Sequence, residues 1–98
     1  MLKDTTFMQG LQGKVAQIIA ICEDKDTCRA LQALAEELLY SDPVGSEALA
    51  EAEADLAAAI DELHAAVVDE ELPVVIQLCA RSSALLSERN RLCKQNKK

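Results

Sequence analysis

The chain has no tryptophan, one phenylalanine (Phe7) and one tyrosine (Tyr40) among its 98 residues, so aromatic rings cannot form its core. Glycine and proline are scarce as well, three and two respectively, too few for the tight turns of a hairpin-rich sheet. Sheets also draw on aromatic and β-branched side chains, which are sparse here. No stretch approaches the roughly 20 consecutive apolar residues of a bilayer span. The leading MLKDTTFMQG lacks the apolar segment and cleavage site of a secretory signal, which predicts a cytoplasmic protein. Positive charge is missing over half the chain: from Ala30 to Ala80 there is no Lys or Arg, against twelve Asp and Glu. A formal net charge of −7 argues against nucleic acid as the main partner, because phosphate binding needs clustered cations. It favours a protein partner with a basic surface, or simply solubility.

What is present is aliphatic. Half of the residues are apolar, chiefly Leu, Ala, Val and Ile, and Ala and Leu head the helix propensities. The spacing predicts a single all-α domain over residues 1–98, with helices at about 6–22, 27–40, 46–68 and 73–94. Thr6 and Gln9 have capping-box spacing for the first helix, whose predicted face is Phe7, Leu11, Val15, Ile18 and Cys22. Gly10 and Gly13 weaken its first turns or admit a close neighbour. Asp24, Asp26 and Thr27 are candidate N-caps of the second helix, with Cys28, Leu31, Leu34, Ala35, Leu38 and Leu39 facing inward. Ser41-Asp42-Pro43-Val44-Gly45-Ser46 is the clearest break, and Pro43 disfavours helix at Asp42.

In the third helix Leu49, Ala52, Leu56, Ala59, Leu63 and Ala66 alternate steps of three and four, a heptad-like seam. Ala50, Ala54, Ala58 and Ala65 lie away from it. Pro73 is tolerated in a first turn, and Val75, Leu78, Cys79, Leu85, Leu86, Leu92 and Cys93 make the apolar face of the last helix. Short breaks imply antiparallel neighbours, hence a small up-down-up-down four-helix bundle. The alternative is that helices three and four run on as one kinked helix through Pro73.

Charge segregation is the sharpest functional signal. Glu51, Asp55, Glu62 and Asp69 form a stripe on the third helix, away from Leu56 and Leu63. Like charges at i,i+4 repel, so a stripe without internal cations either faces solvent, receives something basic, or is covered by the basic end of the last helix. Residues 81–98 hold six cations and one acid, Glu88. Arg89 falls in the middle of the last helix's apolar face, with Ser82 on the same side. A charge there must be paired or reach water at the bundle's end; Glu36, Glu37 or a partner's carboxylate are the predicted counter-ions. Glu51, Asp55, Glu62, Asp69 and Arg89 are therefore the candidate partner contacts.

Nothing points to an enzyme. His64 stands alone at the border of the third helix's seam, and no nucleophile–base pair, P-loop or dinucleotide fingerprint is present. Cys22, Cys28, Cys79 and Cys93 lack the C-x-x-C spacing of a zinc or redox site, so free thiols buried in the core are expected, with no metal and no cofactor. Small acidic helical bundles commonly act by masking another protein, as inhibitors, immunity proteins, antitoxins or export chaperones. In its short helices and its LLSERNRL segment (Leu85–Leu92) the chain resembles secretion and flagellar export chaperones in style; no residue role is carried over. A non-catalytic protein-binding module is the leading expectation. The rivals are an acidic mimic of nucleic acid blocking a cationic groove, a homodimer joined through the alanine side of the third helix, and a thiol redox or metal protein.

Overall fold

In the computed structural model, which describes residues 5–95, four α-helices carry almost all of the chain: α1 (Thr6–Ile21), α2 (Lys25–Tyr40), α3 (Ala50–Val68) and α4 (Leu72–Gln95). One turn of 3-10 helix, Glu47–Leu49, leads into α3. The expected all-α bundle is the observed architecture, and α3 and α4 are two helices rather than one kinked rod. Their separation is set at Glu70, the one described non-glycine residue with positive φ (55°). Glu71 N–H donates to the Ala66 carbonyl (3.0 Å) and Glu70 N–H to that of Val67 (3.1 Å). That is a Schellman-type stop, with a glutamate where glycine is usual. Pro73 then lies in the first turn of α4, where no intrahelical N–H bond is lost.

Of the predicted N-caps for α2, Asp24 is used: its carboxylate accepts from Thr27 N–H (2.9 Å) and Thr27 Oγ1 (2.7 Å). These bonds hold the Asp24 carboxyl below its ordinary range. At α1 the N-cap is Thr5 rather than Thr6, and it makes no side-chain cap bond. Gly10 and Gly13 are exposed, and a Cβ added at either would meet nothing within 4 Å, so no described part of the chain uses their smallness.

The helices alternate in direction. Gln12, early in α1, donates to the Leu38 carbonyl late in α2 (3.4 Å); Arg89, late in α4, meets Glu53, early in α3. Yet chain order is not spatial order. The backbones of α1 and α2, α2 and α4, α4 and α3, and α3 and α1 approach closely, whereas α2 and α3 do not, nor do α1 and α4. Going round the bundle the order is α1–α2–α4–α3. Residues 41–49 thus cross the bundle's end on the diagonal, and α2 and α4 run parallel side by side. The result measures 42 × 20 × 18 Å.

The core is aliphatic, with Val15, Ile18, Leu31, Leu38, Leu56, Ile60, Leu63 and Val75 all inaccessible to solvent. Met8, not Phe7, is the fully buried residue at the start of α1. In α2, Leu39 (62% exposed) faces outward, contrary to its predicted place in the apolar face. In α3 the buried set includes Glu53, Ile60 and Val67 beside Leu56, Ala59, Leu63 and Ala66. The seam is one residue broader than the alanine-based heptad implied.

Candidate protein-binding surface

Glu51, Asp55, Glu62 and Asp69 are all exposed. At 100° per residue they fall within about 40° of one another on α3, and their span of eighteen residues corresponds to about 27 Å of helix. Among the described residues none of the four lies within ion-pairing distance of a cation, whereas neighbouring acids do: Asp61 pairs with Lys14 of α1, and Glu88 with Arg91 one turn along α4. The Arg91 guanidinium holds the Glu88 carboxyl below its usual range. Arg91 thus serves its own helix, not the α3 stripe.

The stripe does not run along a bare helix back. It forms one lip of the groove between α3 and α4. Near the start of α3, a depression of about 220 Å³ is lined by Glu51, Asp55, Leu85, Glu88 and Leu92. Further along, a second of about 280 Å³ is lined by Glu62, Asp69, Glu71, Val74 and Leu78. Leu78, Leu85 and Leu92 are only half-buried there. Carboxylates thus alternate with partly open aliphatic floor.

Arg89 is turned the other way. It is wholly buried, although it carries a charge. Its Nε and Nη2 donate to Glu53 Oε2 (both 3.2 Å), Nη1 to the Asp42 carbonyl (2.5 Å) and Asn90 Oδ1 (3.2 Å), and Nη2 to the Val44 carbonyl (3.1 Å). All five guanidinium donors have acceptors within the chain. Glu53, rather than Glu36, Glu37 or a partner's acid, is the counter-ion, and its side chain is 10% exposed. The diagonal crossover explains why a cation is needed here. The chain leaving α2 passes over the bundle's end with carbonyls that no helix or strand satisfies, and the rigid fork of Arg89 meets two of them and a carboxylate together. Asn90 extends the same latch by donating to Ser41 Oγ (2.8 Å), which donates to the Glu37 carbonyl (2.6 Å). Ser83 Oγ bonds Glu37 Oε2 (2.6 Å). Ser82, also on the buried face of α4, has no partner for its Oγ among the described residues.

Glu53 was the residue missed in the sequence. Its signal was there: it stands four residues after Leu49 and three before Leu56, inside the apolar periodicity. An acid in the seam of one helix and a base in the seam of another must meet if both are buried.

His64 is exposed. The four cysteines are free thiols, but only Cys79 and Cys93 are buried in the core as expected; Cys22 and Cys28, at the α1–α2 turn, are half-buried. Cys28 Sγ lies against the Cys22 carbonyl (3.4 Å), and its hydrogen bond with the Cys22 thiol raises it above the ordinary thiol range. Burial pushes Cys79 up to about 11. Among the described residues no three His, Cys, Asp or Glu side chains are placed to hold a metal ion, and no helix is long and apolar enough to cross a membrane.

Comparison of the chain with family models, with curated proteins and with solved structures found no match in any of the three.

Proposed function

We propose that this is a non-catalytic, cytoplasmic protein-binding module that masks a basic surface of its partner with the α3–α4 face, in the manner of an inhibitor, immunity protein or export chaperone. The observation that carries the reading is the stripe itself. Among the described residues Glu51, Asp55, Glu62 and Asp69 stand exposed and without internal cations, beside nearby acids that do have them. Unpaired like charges on one helix face repel one another and gain most from an approaching cationic surface. The half-open leucines between them offer apolar contact as well, which a partner protein can match with its own side chains.

A mimic of nucleic acid fits the same charges less well. The aliphatic floor between the carboxylates, with Leu85 and Leu92 in one depression and Val74 and Leu78 in the other, has no counterpart in a phosphate backbone. The exposed alanines of α3 (Ala50, Ala54, Ala58, Ala65) adjoin the acids, so a homodimer there would bring two acidic stripes together.

The test is capture of proteins from native cytosol by the wild-type chain and by a variant with Glu51, Asp55, Glu62 and Asp69 all changed to Lys, at low and high salt. A partner held by the wild-type chain at low salt, released by high salt and not held by the variant is the expected result. Identical capture by both chains contradicts it.

A further inference from the structure

The bundle has a second exposed apolar surface, at the end opposite the Arg89 latch. Ile21 (47% exposed), Val68 (58%), Leu72 (39%) and Ile76 (45%) all lie there, around the α1–α2 and α3–α4 turns. They make up most of the large aliphatic side chains that the described fold leaves open. Between the two turns is a cleft of about 400 Å³, larger than either depression along α3, lined by Ile21, Val67 and Leu72 on its apolar side and by Glu23, Asp24 and Glu70 on its polar side. Asp26 adds to the acids there, and Lys25 is the sole cation of the two turns.

We propose that this end is a docking socket for a cationic segment of a partner protein, one that places a large aliphatic or aromatic side chain in the cleft and Lys or Arg on its rim. The chemistry selects the occupant. An apolar floor of several open side chains calls for an apolar anchor, and a rim of carboxylates calls for flanking cations. A second copy of this chain would bring the same acids face to face, and a nucleic acid would bring phosphate to carboxylate; both are repelled. The socket is distinct from the α3 face and stands whether or not that face binds anything.

The probe is a fluorescein-labelled amphipathic helix of leucine and lysine, titrated at near-physiological salt, with an oligolysine of equal charge as control and amide NMR shifts to locate the contact. The leucine–lysine helix is expected to shift resonances around Ile21, Val67 and Leu72 and to bind about tenfold tighter than oligolysine, the worth of one buried apolar anchor. Ile21→Glu adds an acid yet removes floor, so binding by charge alone would tighten, whereas the socket requires it to weaken by about the same factor. Leu72→Gln, which leaves charge unchanged, should weaken it too. Changing Glu51 and Asp55 to Lys should alter affinity less than the cleft variants do, which separates this surface from the α3 stripe. Equal binding of oligolysine, undiminished binding by both cleft variants, or shifts confined to the stripe would overturn the proposal.

Discussion

Replacing Arg89 with Met keeps the aliphatic stem and removes the fork. The loss can be worked from the latch. Glu53 Oε2 loses two donors and the Asp42 and Val44 carbonyls lose one each, at a point where the arginine is fully buried and the Glu53 side chain only 10% exposed. Breaking a buried pair by removing one partner costs about 3–5 kcal/mol, because the remaining charge stays desolvated. A domain of this size has a total stability of roughly 5–15 kcal/mol, so Arg89→Met should remove a large share of it and move the urea midpoint down accordingly. Urea titration followed by far-UV circular dichroism measures the difference. Glu53→Leu in the Arg89→Met background should lose less than the two single changes added together, with a coupling of about 1–3 kcal/mol. An Arg89→Met chain within about 0.5 kcal/mol of wild type, the range of an ordinary surface change, would refute the idea that this cation holds the crossover.

Gly10→Ala and Gly13→Ala should each stabilise the chain by about 0.5–1 kcal/mol, since both lie on exposed helix with open space at Cβ; a thermal melt checks it, and destabilisation would mean that the glycine side is occupied. Glu70→Gly should also stabilise, by about 1 kcal/mol, because the residue is held at φ 55°; urea unfolding reads this directly. Burial pushes the Cys79 thiol up to about 11, above its ordinary 9.0. The unfolded chain therefore releases this proton first, and stability is lost as pH rises from 9 toward 11, by about 3 kcal/mol in full. Unfolding of wild type and Cys79→Val across that window should diverge, the wild type falling more steeply; parallel curves would deny the burial of the thiol.

The helices were legible because their breaks are chemical: Asp24 before Thr27, Pro43 and Gly45 after Tyr40, Asp69 to Pro73. The outward placement of Glu51, Asp55, Glu62 and Asp69 was legible too, since a charged stripe at helical spacing leaves the core only one side. The diagonal crossover was not. Residues 41–49 are long enough to reach either neighbour, and the choice depends on which helix faces fit. That choice sets the fate of Arg89. Periodicity placed it in an apolar seam, but its partner became identifiable only once the start of α3 and the end of α4 were brought to the same end of the bundle. Leu39 misled for a related reason. It lies next to Leu38, and where two leucines adjoin at a helix's end, packing, not hydrophobicity, decides which turns in.

The central functional claim is that the α3 acids are contacts. Carbodiimide labelling of surface carboxyls, read by mass spectrometry in the free chain and in the complex with the captured partner, addresses it most directly. Glu51, Asp55, Glu62 and Asp69 should lose reactivity in the complex while the exposed Glu36 of α2 keeps it. If the four label at the same rate bound and free, the α3 face is not where the partner binds.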